Sequence, residues 1–246
     1  MPLSSKTIVI TSGRSGSNLL IQSLNKHPQL NLTGEILNLK PEAIPPVPRE
    51  ILTSIVGPLP KTRHKNDNYH VPVTYLERLL EEFDGFKMLY YELNPQFVEY
   101  LKSRPDIKIV HLIRQNALEC CVSKIFASAT KVYHIKAGTQ HDCGSITISA
   151  KDLDRKMKKH VRGVRQYSDL FGNPYCVFYE DLVSSWDETM KDLQVFMGLE
   201  PKTLPMVSNK VIQRPLHHVV KNYQELHQHF AGTEFEKFFK SQILHL

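Results

Sequence analysis

The chain has 246 residues, 41% of them hydrophobic, which is enough for one large α/β core or two small ones, and no internal repeat marks an array. Lys and Arg number 31 against 25 Asp and Glu, a formal charge of +6 that suits a polyanionic ligand and equally suits many ordinary enzymes, so charge alone assigns no function. We read one domain over 1–246.

Pro2, Ser4, Ser5 and Lys6 precede a strand of only a few apolar residues, too short for a signal-peptide core or a membrane span. That strand is predicted over 6–11 and feeds a helix over 17–26, which stops before His27-Pro28 because proline disfavours helix in the residue ahead of it. Residues 36–72, rich in proline from Pro41 to Pro72, form an irregular insertion with one short helix near 49–56, the kind of segment that covers a site. A helix over 73–83 follows, with Val73, Leu76, Leu79, Leu80 and Phe83 apolar, then a short strand over 86–90 and a helix over 95–103. The β-branched run Ile107 to Ile113 reads as a buried central strand leaving into a helix over 116–130. Residues 131–150 read as a surface loop, 151–171 as an amphipathic helix, 175–179 as a strand, and 186–197 and 216–230 as the closing helices.

Strands alternating with helices imply a central parallel sheet flanked by helices, a three-layer α/β fold. The basic cluster from Arg155 to Arg162 alternates with apolar residues at helical spacing and has few aromatics, so it reads as a solvated helix face, with no nucleic-acid partner expected. Cysteines stand at 120, 121, 143 and 176; the adjacent pair diverges by about 100° on a helix, which is poor disulfide architecture. A reducing, cytoplasmic setting is expected. Neither Cys143 with His141 and Asp142 nor His217-His218 has the paired spacing of a zinc site, and no metal is expected.

The stretch Thr11-Ser12-Gly13-Arg14-Ser15-Gly16-Ser17-Asn18-Leu19 directly follows the first strand. Two glycines let the backbone turn tightly so that successive N–H groups and the positive end of the next helix point at one anion, and Arg14 adds a full charge. An ordinary strand-to-helix turn with a serine cap has the same local pattern. Arg114 lies at a second strand-to-helix junction, with Ser123 two turns into the helix, so a nucleotide with phosphates at two positions could meet two anion sites on one sheet edge. A capping arginine and a filler serine would look alike at this spacing.

Taken together, Ser12-Gly13-Arg14-Ser15-Gly16-Ser17 resembles the 5′-phosphosulfate loop of sulfotransferases that use 3′-phosphoadenosine 5′-phosphosulfate (PAPS). Ile109 to Arg114 with Cys121-Val122-Ser123 is similar to that family's 3′-phosphate motif, and Tyr179-Glu180-Asp181-Leu182 to its Tyr-Glu-Asp segment, where the tyrosine approaches the adenine end. The likeness spans nearly the whole chain and is closest to the bacterial trehalose and nodulation-type branch, whose members carry Gly-Arg-Ser-Gly-Ser. It implies a P-loop-like fold, PAPS as donor and 3′-phosphoadenosine 5′-phosphate (PAP) as product. It further implies cofactor contacts from Gly13, Arg14, Ser15, Gly16, Ser17, Asn18, Leu19, Arg114, Ser123 and Tyr179. Asn18 stands where threonine is common, and Gln115-Asn116 replaces the usual Arg-Asp. Lys210 and Arg214 resemble a family segment near the 3′-phosphate.

Glu35, in Gly34-Glu35-Ile36 after the first helix, stands where this branch carries its catalytic glutamate, so the resemblance makes it the general base, with Arg14 catalytic at the leaving oxygen. A surface carboxylate after a turn is the other reading, and His64 and His70 are the rival bases. The implied acceptor is a hydroxyl, or an amine, of a carbohydrate or small molecule. A P-loop kinase shares the strand-loop-helix but needs a Gly-Lys that does not occur here. A noncatalytic nucleotide or polyanion module would keep both arginines and need no base. Apolar faces on helix 73–83 or the C-terminal helix would support a homodimer.

Overall fold

A computed structural model describes residues 5–38, 48–57, 71–133, 144–207, 211–212 and 214–240. In chain order the elements are β1 (Lys6–Thr11), α1 (Ser17–Leu24), β2 (Leu32–Glu35), α2 (Arg49–Val56), α3 (Val73–Glu82), β3 (Gly85–Leu89), a 3-10 turn (Tyr90–Glu92), α4 (Pro95–Ser103), β4 (Ile107–Ile113), α5 (Ala117–Thr130), α6 (Ala150–Leu170), β5 (Tyr175–Phe178), α7 (Tyr179–Ser184), α8 (Trp186–Met197), α9 (Leu216–Val219), α10 (Tyr223–Phe230) and α11 (Glu236–Lys240). The five strands pair in parallel in the order β2-β3-β1-β4-β5.

The sheet is the middle of three layers because its central strands are apolar on both faces. Ile8 and Ile10 of β1, with Phe86 and Met88 of β3, pack against α2, α3 and α4. Val9, one residue out of phase, joins Val110, Leu112 and Val177 under α1 and α8 on the other face. A third cluster holds α5 and α6 to α10 and α11 through Leu118, Val122, Met157, Phe230 and Phe239. β1 and β3 meet at a glycine for a steric reason: a Cβ on Gly85 would lie 1.8 Å from the Thr7 carbonyl oxygen.

Four features differ from the sequence reading. Leu32–Glu35, given no element by the sequence, is a strand at the sheet edge; four residues containing Gly34 carry too little pattern to announce it. Tyr179 starts a short helix instead of ending β5. The helix expected over 216–230 breaks at Val220, which forms a parallel bridge with Ile146 in the supposed loop 131–150. Lys221 N–H donates to Ile146 O and Ile146 N–H to Val219 O, so β-branched Val219 and Val220 find sheet-like partners that outcompete helix continuation. A further helix, α11, follows at Glu236–Lys240. Cys120 and Cys121 are buried and form no disulfide. No helix among the described residues is long and apolar enough to cross a membrane. His64, His70, Cys143 and Lys210 lie outside the described residues.

Candidate active site at the carboxyl edge of the sheet

Every strand of the sheet delivers a polar group at or beyond its carboxyl end. β1 runs into the loop Ser12 to Gly16, where Arg14 (φ 66) and Gly16 (φ 85) both adopt left-handed backbone. For a non-glycine residue that conformation costs about 1–2 kcal/mol, so Arg14 is held there by its neighbours. Arg114 donates from Nη1 to the Arg14 carbonyl at 3.2 Å, while Arg14 donates from Nε to Ser123 Oγ at 3.1 Å and from Nη1 to Tyr133 O at 2.6 Å. Gly16 is the N-cap of α1 and, having no side chain, cannot cap the first turn of the helix, which presents its N–H groups toward the loop. Ser12 and Ser15 turn their hydroxyls to each other at 2.8 Å beneath the loop, and the Leu19 side chain is buried in the core, so Ser15 and Leu19 face the loop's mouth only with backbone.

At the end of β4, Arg114 is 7% exposed and lies 4.5 Å from the Tyr179 ring centroid. Its Nη2 pairs with Glu119 Oε2 at 2.5 Å, and its Nε is buried with no hydrogen-bond partner among the described residues. Burial opposes the Arg114 charge, but Tyr179, Cys120 and Glu119 outweigh it and hold its pKa above the ordinary arginine value. Burial, and after it Arg114, press the Arg14 pKa down. The same Tyr179 ring closes on Gly16, where a Cβ would come within 2.4 Å of Cδ2. Asn116, one of the two departures from the family pattern at 115–116, caps α5 by accepting from Glu119 N–H at 3.0 Å, and Glu180 accepts from the Gln115 and Asn116 N–H groups at 3.1 and 3.0 Å.

Beyond β1 on the other side, β2 and β3 bring together a pair that the sequence reading only half contained. The register between them shifts between Thr33 and Glu35, a bulge at Gly34 that sets Glu35 opposite Lys87. Lys87 Nζ sits 3.3 Å from Glu35 Oε1 and donates to Asn18 Oδ1 at the start of α1. The second Glu35 oxygen accepts from Asn38 Nδ2 at 3.2 Å. Lys87 is 1% exposed, and burial lowers its pKa against the pull of Glu35. Behind this pair, Glu92 is fully enclosed; its carboxylate accepts from Leu37 N–H at 2.9 Å and Leu89 N–H at 2.7 Å, yet burial pushes its pKa up to about 7.

The structure thus gathers Gly13, Arg14, Ser15, Gly16, Ser17, Asn18, Arg114, Ser123, Tyr179 and Glu35 along one sheet edge. Ser123, paired with Arg114 by spacing, accepts from Arg14, whose carbonyl in turn accepts from Arg114. Arg214 reaches the Gly144 carbonyl at 3.1 Å. Sequence reasoning missed Lys87, Glu92, Glu119 and His160. Lys87 had a signal, since a lone lysine inside Phe86-Lys87-Met88-Leu89 must find a partner once that strand is central.

The sulfotransferase-family model matches residues 7–203, the stretch that holds all of these groups except Arg214. Nodulation protein H of Rhizobium tropici is 24% identical over 98% of this chain and 95% of its own length, and that of Rhizobium meliloti is 23% identical over 94% of each. A crystal structure of a sulfotransferase from Alicyclobacillus acidocaldarius superposes with a TM-score of 0.50 at 14% identity, covering 98% of this chain and 96% of that one.

Proposed function

The chain belongs to the sulfotransferase family, and from that premise we propose that it moves a sulfuryl group from PAPS to a hydroxyl of a carbohydrate or other small molecule, with Glu35 taking the hydroxyl proton. The observation that carries the reading is the orphaned, buried Arg114 Nε on the same sheet edge as the uncapped α1 N-terminus. Two separated donor sets of this kind fit a nucleotide with an anion at each end.

Bound there, PAPS would supply an activated sulfuryl group whose loss leaves negative charge on a phosphate oxygen. The N–H groups of Gly13 to Asn18 and the buried Lys87 ammonium would hold that charge without reorganising, and no metal is called for. Arg114, Arg14 and Ser123 would hold the 3′-phosphate; the bond to Ser123 supports grouping the Arg14 guanidinium with them, with Lys87 the cation beside the proton acceptor. Glu35 would receive the acceptor's proton on a carboxylate already oriented by Lys87 and Asn38. Tyr179, pressed on Gly16 and Arg114, would flank the nucleotide's base.

The test is sulfuryl transfer from labelled PAPS to a panel of sugars and alcohols in EDTA, with Glu35→Gln beside the parent. The variant should lose about 10²-fold or more in turnover while binding PAP within about twofold of the parent. Near-normal turnover would remove Glu35 from the role of base.

A further inference from the structure

We propose that His160 is a positioning residue that fixes the distance between the two anion-binding halves of the cradle, and so selects nucleotides charged at both ends. The inference rests on the two-anion reading above, and concerns a residue on α6 that would touch neither end of the ligand.

His160 lies on the buried stripe of α6 with Leu153 and Met157, a position where an apolar side chain would ordinarily pack, and it is 5% exposed. A polar group buried there must be satisfied, and both ring nitrogens are engaged. Nε2 lies 2.8 Å from the Arg114 carbonyl oxygen, and Nδ1 lies 3.4 Å from Ser12 Oγ. A carbonyl only accepts, so Nε2 carries the proton and Nδ1 is turned to the Ser12 hydroxyl. The ring therefore spans from the first residue after β4 to the first residue after β1.

That span is where the sheet stops doing the same job. The β1–β4 ladder ends at Thr11 opposite Leu112, so the loops that follow are no longer held by strand pairing. Other ties cross the gap: Thr11 Oγ1 donates to Leu112 O at 2.7 Å, Cys120 Sγ to Gly13 O at 3.6 Å, Arg114 Nη1 to Arg14 O at 3.2 Å and Arg14 Nε to Ser123 Oγ at 3.1 Å. The last two use guanidinium groups that a ligand anion would itself engage. The His160 bridge, beside Cys120, uses the backbone carbonyl of Arg114 and leaves its guanidinium to other partners. A ligand gripped at one end tolerates a small change in the separation of the halves; a ligand gripped at both ends does not.

Calorimetric titration in EDTA with PAP, adenosine 5′-phosphate and adenosine 3′-phosphate tests this on the parent, His160→Ala and His160→Gln, with thermal melting as the check on folding. The parent should prefer PAP to both monophosphates. His160→Ala should weaken PAP by about tenfold, the worth of roughly one buried hydrogen bond, and each monophosphate by less than about threefold. His160→Gln, whose amide can donate to Arg114 O, should recover most of the loss. If His160→Ala does not fold, Ser12→Ala removes the Nδ1 partner, together with the Ser12–Ser15 hydroxyl contact, and should show the same ordering at about threefold. Equal weakening of all three ligands, or unchanged PAP affinity in a folded variant, overturns the role of His160. A parent without preference for PAP overturns the two-anion reading, and the positioning role with it.

Discussion

At the scale of single residues, the site is built from side chains that would be costly anywhere else. Lys87 carries an ammonium in a strand buried on both faces, and its cost is offset by Glu35 and Asn18. Lys87→Met keeps the volume and removes the charge, so it should fold, bind PAP within about threefold of the parent and lose about 10²-fold in sulfuryl transfer, as for loss of one preorganised donor; transfer at the parental rate would show that Lys87 is structural only. Gly16 answers to two constraints together, a left-handed backbone and a ring face. Gly16→Ala should lower the melting temperature and abolish the stabilisation that PAP gives the parent, because the new methyl would enter the Tyr179 ring. The glycines, serines and two arginines were legible because loop chemistry is local. Lys87 and His160 were not, because each acts across the sheet on residues distant in sequence.

At the scale of elements, the cradle depends on strands being held close and on turns being tied from beneath. Gly85→Ala would drive a Cβ into the Thr7 backbone and force β1 from β3, which should cost about 3 kcal/mol or more in urea denaturation. The segment carrying Tyr90–Glu92 is fastened by Glu92 to Leu37 and Leu89. Because burial raises the folded pKa of Glu92 from 4.5 to about 7, the native state holds its proton where the unfolded chain has lost it. The stabilisation linked to this proton is fully present below about pH 4.5 and is lost as pH rises through 7, on the order of 3 kcal/mol in all. Urea midpoints for the parent and Glu92→Gln between pH 4.5 and 8 should show that fall in the parent and a flatter profile in the variant; parallel profiles would exclude Glu92 as its source. Long periodic helices and the β-branched strands were readable. β2 was not, since Leu-Thr-Gly-Glu acquires strand character only from pairing with β3, and the break at Val220 follows from a partner at Ile146 more than seventy residues away.

At the scale of the whole molecule, the alternation of strand and helix implied a parallel sheet, and the sheet's geometry then dictated where the polar ends collect. Positive charge is not spread evenly toward this edge: on α6, Lys156 and Lys158 pair with Asp152 and Asp154 of their own helix, as expected of a solvated face. The concentration that matters is Arg114 and Lys87, both buried and each paired with one carboxylate, with the half-buried Arg14, around an α1 N-terminus that no side chain caps. Such a site should prefer a nucleotide with two separated anions and no metal over a magnesium-bound diphosphate. Equilibrium binding of PAP in EDTA against ADP with magnesium tests that most directly. PAP should bind at least about 10²-fold tighter, with most of the advantage lost in Arg114→Ala. ADP with magnesium binding as tightly as PAP, or a PAP affinity indifferent to Arg114, would contradict it.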